Sequence, residues 1–418
     1  MRSITSRLLS FSLAGFLTVA GSFLAAAPND WPQFRGPDGQ GAQANVQPPT
    51  HWTDRENIAW KVRLPGPGTS TPIVFGERIY LTYFTGSPGN QLTRHLLALD
   101  ASNGATVWDR AVPAVAPDQE RIREEHGYAT NSPAADAERI YTFFGASGVY
   151  AFNHQGQQLW HADVGKGLNG WGSAASPILF RQLLIVNASV ESESLIALDQ
   201  KTGREVWRLP GIKESWNTPI VVVPPGGGEP ELAIAISGKI LGIDPSTGKP
   251  FWSCQTDIPW YMVPSLVAND GVVYAIGGRT GGAVAVKLGG RGDVTASHRL
   301  WIAQKGSNVS SPVFSQGHLY WMHENLGVAY CADAKTGRIV YEQRIDRANQ
   351  VYASAVLAGD KIYYLQRNGK TCVVRASPNF ELLATNDLGE RSRFDASPVL
   401  TGNRLLLRSK DTLYCIGK

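Results

Sequence analysis

Aromatic, basic and amide side chains recur in short, turn-like stretches of this 418-residue sequence. His126, Tyr128 and Asn131 form one such stretch, Trp216 and Asn217 another, and Trp171, Tyr261, Asn308, Tyr352 and Arg393 each mark one more. Between them fall Arg279, the pair His323-Glu324, and Arg367. Rings offer stacking faces, guanidinium groups offer charge and forked donors, and amides carry both donor and acceptor atoms. Groups of this kind grip a sugar, a peptide or a planar cofactor. No nucleophile elbow and no zinc-ligand spacing accompanies them, so spacing assigns no catalytic residue and no metal ligand.

Other chemically suggestive strings reduce to turns and loops. In Glu124-Glu125-His126, neighbouring residues of an extended segment point to opposite faces, which suits a solvated loop better than an acid–base site. Ser246-Thr247-Gly248-Lys249 lacks the glycine spacing of a phosphate loop and runs into Pro250. Arg291-Gly292-Asp293 spells an adhesion tripeptide that chance supplies easily, and the glycine pairs around it read as hairpin turns.

The elements that must position the binding groups are repeated hairpins. Leu195–Trp207 is an apolar strand, an Asp199 turn with Gly203 in the left-handed conformation, and a return strand ending on a large aromatic. Related hairpins occupy Leu96–Trp108, Val149–Trp160, Ile240–Trp252, Val284–Trp301 (with an insertion) and Val328–Tyr341, with a degenerate one at Thr371–Leu383. Each follows a Ser/Thr-Pro marker or its variant, at Pro72, Pro133, Pro177, Pro219, Pro264, Pro312, Ala355 and Pro398. After a first interval of 61 residues the markers recur every 42 to 48. A period near 40–45 residues with four short strands predicts a β-propeller, here all-β with eight four-stranded antiparallel blades. The eighth unit ends at Ile416 without an outer strand, and the isolated Ile58–Val62 segment is expected to complete it and close the ring. The recurring tryptophans then pack between blades. The loops entering each inner strand open on one axial face, where the binding groups are expected to gather.

The ends and composition complete this organisation. Arg2 and Arg7, the apolar Leu8–Leu24 run and Ala25-Ala26-Ala27 read as a signal peptide over residues 1–27, cleaved near Ala26, without a cysteine for lipidation. Residues 28–57 read as an irregular segment packed on a propeller of residues 58–418. The expected location is therefore secreted or periplasmic, with no transmembrane segment after cleavage. The net charge is only +4, from 39 basic and 35 acidic residues, and no basic block points to nucleic acid or an anionic membrane. Cys331 and Cys415 occupy positions where other repeats carry Ala98 or Ala197, which predicts small buried thiols, and Cys254 and Cys372 have no neighbouring partner.

The hairpins at Ala98–Trp108, Ala197–Trp207 and Gly242–Trp252 carry A-x-D-x-x-T-G-x-x-x-W or a close variant. This resembles the tryptophan-docking motif of the quinoprotein dehydrogenase-like and BamB-like propeller superfamily. The strings Trp31–Gly39, Glu125–Ala129, Asn169–Ser173, Ser215–Pro219 and Gly289–Thr295 resemble secreted PQQ-like propeller proteins of planctomycete type. The resemblance implies PQQ as a cofactor, covered by a ring of adjacent cysteines, with calcium bound by Glu, Asn and Asp and an Asp as base. This chain has no adjacent cysteines, and that carboxylate set does not map onto it. The expectation is accordingly an exported, monomeric binding or scaffold protein rather than an enzyme. Its partner on the axial face would be a small molecule, a glycan or an extracytoplasmic protein. The alternatives are a PQQ-dependent oxidoreductase or electron-transfer protein, and a BamB-like envelope assembly factor.

Overall fold

The structure is a computed structural model that describes residues 29–115, 118–123, 126–279 and 281–418. The segment read as a signal peptide and the pair Glu124-Glu125 lie outside the described residues. Eight sheets follow one another in chain order, and six of them have four strands. Blade three shows the pattern: Ile178–Phe180 on the axis, then Leu183–Ala188, Ser194–Asp199 and Glu205–Pro210, each antiparallel to the one before. The middle strands are buried over all but one end residue each, with apolar runs at Leu183–Val186 and Leu195–Leu198. The outer strand alternates, with Trp207 buried between exposed Val206 and Arg208.

The core lies between blades. Trp207 packs with Ala197 and Leu195 of its own blade and with Leu232, Ile234 and Ile243 of the next. In register it faces Ala197, and the corresponding aromatic faces a small residue in other blades, with Cys331 opposite Tyr341 and Cys415 opposite Trp60. All four cysteines are free and buried. The indole N–H of four docking tryptophans reaches forward to the turn of the following blade: Trp108 donates to His154, Trp160 to Gln200, Trp207 to Pro245 and Trp301 to Ala334, all through backbone carbonyls. Trp252 departs from this rule and donates to Glu231 of its own blade, whose other oxygen accepts the Gly289 amide. Gly289 begins the insertion of blade five, and Gly292–Asp293 of that insertion adds in parallel to the outer edge of blade four.

The turn glycine is the socket of this joint. Gly203 has φ +71, and a Cβ there would lie 2.6 Å from the Trp160 ring. Gly203→Ala is expected to combine a left-handed backbone penalty with overpacking and to cost about 2 kcal/mol. A shift of the urea midpoint at unchanged slope would measure it.

Blade eight contains Val399–Thr401, Arg404–Arg408 and Thr412–Ile416, and Ile58–Arg63 from the opposite end of the chain supplies its outer strand. The two ends of the described chain thus share one sheet, as the repeat arithmetic requires.

Candidate functional site

The site begins with the markers. Each blade's marker residue donates its backbone N–H to the marker hydroxyl of the next blade. The series runs Thr71 to Ser132, Ser132 to Ser176, Ser176 to Thr218, Thr218 to Ser265, Ser265 to Ser311, Ser311 to Ser354 and Ser354 to Ser397. Ser397 returns to Thr71 at 3.0 Å and closes the circle. Ser and Thr recur at this position because the site needs a short side chain whose oxygen can accept a neighbour's amide two residues before the inner strand starts. This role is invisible in one repeat, where the pair reads only as punctuation.

Below the ring, the segment after Asn29 crosses the axis and touches all eight blades. Trp31 pairs with Val74 of blade one, Pro32 accepts the Ala135 amide of blade two, and the Gln33 side chain accepts that of Leu179 in blade three. Gly39 lies against Ile220 of blade four, and Gln40 accepts the Ala268 amide of blade five. Arg35 donates to Pro312 and Ala355, Gly41 accepts from Leu357, and Gln47 donates to Asn403. Inner strands otherwise leave one edge of amides and carbonyls unpaired around the axis, and this strap satisfies them. Phe34 lies on the strap and forms the bottom of the axial cavity. The result is a cup of about 370 Å³, open on the face of the entering loops.

His126, Trp171, Trp216, Tyr261, Arg279, Asn308, Glu324 and Tyr352 all line that cup, so the structure brings these eight sequence candidates together. Tyr128 and Asn131 line a smaller cavity behind the wall, and Arg393 joins His126 and Tyr128 around a third opening. Asn217 is fully buried, its amide spent on Ser215 and on the carbonyls of Ala235 and Met262, and it braces the entering loop of blade four. His323 flanks Glu324, 3.6 Å from its carboxylate. Arg123, Arg367 and Asp395 shape the same wall. Arg123 stacks on Trp171 at 3.8 Å and Arg367 on Tyr352 at 4.1 Å, and Arg367 also pairs with Asp395 at 2.7 Å. The rings meet at angles: 44° between Trp171 and Tyr261, 79° between Trp216 and Tyr261, and 84° between His126 and Trp171.

The wall over blade two comes from the long interval between the first two markers. The buried guanidinium of Arg94 anchors it, pairing with Asp118 and donating to the Tyr128 carbonyl at 3.0 Å and to Ser147 at 3.1 Å. Behind it, Glu191 sits in a cavity of about 40 Å³ that Asn131, Asn169 and Ser173 share with apolar Ile122, Phe144 and Val190. Glu191 is buried, and burial raises its carboxyl to about 7. Ser173 and the Glu191 amide favour the charged form only weakly, because neither carboxylate oxygen has a well-formed hydrogen bond. The folded chain therefore holds a proton that the unfolded chain releases near the ordinary value of 4.5. Stability from this group is complete below 4.5 and falls as pH rises toward 7, by roughly 3 kcal/mol in all. Melting temperatures across that window, compared with Glu191→Gln, should show the slope vanish in the variant.

A family model described as outer membrane protein assembly factor BamB matches residues 52–170 and 94–343. The chain belongs to that family. Among solved structures, this BamB-family propeller is similar to BamB from Moraxella catarrhalis, at 13% identity and TM-score 0.60, over 86% of this chain and 96% of that one. It is also similar to quinohemoprotein alcohol dehydrogenases. The one from Pseudomonas putida has 13% identity and TM-score 0.60, over 93% of this chain and 80% of that one. The one from Comamonas testosteroni has 13% identity and TM-score 0.62, over 94% and 82%. At such identity the likeness shows the fold. No curated protein matches the chain.

The groups present do not fit the PQQ and calcium arrangement implied by the resemblance. The cysteines lie inside blades and cannot cover a ring on the axis. Asp118, which lines the same cavity as Glu191 and Asn131, is taken by Arg94, and the Asn131 side-chain amide donates to Ser173 and Ala175. In the cup, Glu324 accepts from Ser307 and the Asn308 amide, and Asp395 is held by Arg367. Among the described residues no cluster of three His, Cys, Asp or Glu side chains could hold a metal.

Proposed function

We propose that this BamB-family propeller is an exported binding protein that takes a hydrophilic, sugar-like ligand in its axial cup. The observation that carries the reading is the cup itself, closed by Phe34 and rimmed by half-buried Trp171 and Tyr261 beside Asn308 and Arg279. A flat cofactor needs two parallel faces. Here the rings are tilted, and the guanidinium groups of Arg123 and Arg367 already cover faces of Trp171 and Tyr352. A sugar uses one ring face at a time and many hydrogen bonds, which suits this wall.

Titration of the full chain with mono- and disaccharides, followed by tryptophan fluorescence and calorimetry, tests the reading. Trp171→Ala is expected to weaken binding at least about tenfold while leaving the melting temperature nearly unchanged, since the ring stands on a loop. A parallel titration with PQQ and calcium, with a redox dye and alcohols or sugars, tests the oxidoreductase alternative. Stoichiometric PQQ binding with turnover and no saccharide response would overturn the proposal.

A second reading, an assembly scaffold that captures extended chains, is favoured by the edge of blade four, which already accepts Gly292–Asp293 as an added strand. Exposed Val107, Leu159 and Val206 line equivalent outer strands.

A further inference from the structure

The hydroxyl ring has chemistry left over once it has joined the blades. Each ring oxygen accepts an amide proton from one side, so its own O–H must point elsewhere. Ser354 donates to Ser311 at 3.0 Å, and no protein acceptor takes the proton of the other seven hydroxyls among the described residues. All eight are buried, and all line the cup just above Phe34. Because they line the cup, these O–H groups are available to whatever occupies it, and a circle of donors about one axis suits a group that only accepts. At the rim stands Arg279, an exposed guanidinium over the Trp260 ring with no carboxylate partner among the described residues. Among the described residues, the carboxylates lining the cup do not cancel these donors, because Asp395 is engaged by Arg367 and Glu324 by Ser307 and the backbone N–H of Asn308.

We infer that the cup selects acidic sugars, with the oxyanion of the sugar, a carboxylate or a sulfate, received by the hydroxyl ring and drawn in past Arg279. The inference rests on the saccharide reading of the cup and adds the charge of its ligand. Oxyanions accept several short, charge-assisted bonds at once, so convergent O–H groups favour them over a neutral hydroxymethyl group.

Calorimetric titration of the full chain with glucuronate, glucose 6-sulfate and glucose tests it, with Arg279→Gln beside the parent chain. The acidic sugars are expected to bind at least about tenfold more tightly than glucose. In Arg279→Gln the preference should shrink but stay above about threefold, because the ring remains. The better of glucuronate and glucose 6-sulfate identifies the oxyanion. Equal affinity for acidic and neutral sugars would overturn the inference while leaving the saccharide reading intact. A preference that vanishes in Arg279→Gln would also overturn it, by assigning all selection to the rim. Failure of every sugar to bind would remove the saccharide reading and this inference with it.

Discussion

A chain that begins at Leu64 is expected to lose most of its cooperative unfolding transition, whereas one that begins at His51, which lacks the strap but keeps the closing strand, is expected to lose less of it. The difference between them contains the Ile58–Arg63 strand. That strand pairs with Thr412–Ile416 through Ile58, Trp60, Lys61, Val62 and Arg63, and sets the Trp60 ring against Gly104 of blade one. Losing a docked tryptophan, two partly buried aliphatic side chains and the strand's hydrogen bonds amounts to on the order of 5 kcal/mol or more. Net stabilities are commonly about 5–15 kcal/mol, so this loss takes much of the total. Apolar packing and the Leu64 amide, which donates to Asp411, still join blade eight to blade one in the shortened chain, and two polar contacts add to them. Ser397 donates to Thr71, and the buried guanidinium of Arg408 reaches the carbonyls of Ser70 and Thr82. Burial without a carboxylate partner lowers Arg408 to about 9, so this second contact is itself costly to keep. Circular dichroism melts of the two truncated chains against the full chain would decide the matter. Equal melting temperatures would mean that the remaining contacts between blades eight and one close the propeller without this strand.

The architecture was largely legible because a propeller repeats its instructions. One marker and one hairpin carry little information, but eight markers at intervals of 42 to 48 residues leave few alternatives once the first interval is set aside. The small-residue position opposite each docking aromatic could be read in the same way, which is why Cys331 and Cys415 fall where Ala197 does. The site was less legible, for two physical reasons. Long-range contacts made by backbone atoms leave no mark on residue type. Nothing in Gly292-Asp293 announces an added strand on blade four, and nothing in Pro32 or Gly41 announces the carbonyls that cap blades two and seven. The second reason is that one residue type serves two purposes. Asn217 and Asn308 look alike in their loops, yet the first is spent on neighbouring carbonyls while the second lines the cup. The markers held the missed signal. A hydroxyl before every inner strand, never an alanine or valine, is more than a turn requires, and the variant markers keep it at Ser265 and Ser354.

Arg35→Met is expected to produce the largest effect of any single substitution in the strap, a loss of about 3 kcal/mol, with the cup opened at its base. Arg35 is almost fully buried, and its guanidinium donates to the carbonyls of Gly39, Gln40, Pro312 and Ala355. No carboxylate neutralises it by direct contact, and burial lowers it to about 10, still charged at neutral pH. The cation is therefore held by carbonyl dipoles alone, two from the strap's own turn and two from blades six and seven. Methionine keeps much of the volume but leaves those carbonyls buried without a donor, each at about 1–3 kcal/mol before relaxation. Water entering from the open end relieves part of that cost, which sets the net estimate just below the lower end of the sum. Arg35→Lys separates charge from geometry. One ammonium retains the charge but cannot span carbonyls that lie on opposite sides of a planar fork, so an intermediate loss is expected. Denaturant midpoints rank the three proteins, and hydrogen exchange at Val74, Ala135 and Leu357, whose amides the strap covers, reports whether the base of the cup has opened. A methionine variant as stable as the parent, with those amides still protected, would show that Trp31, Gln33 and Gln40 hold the strap without the buried cation.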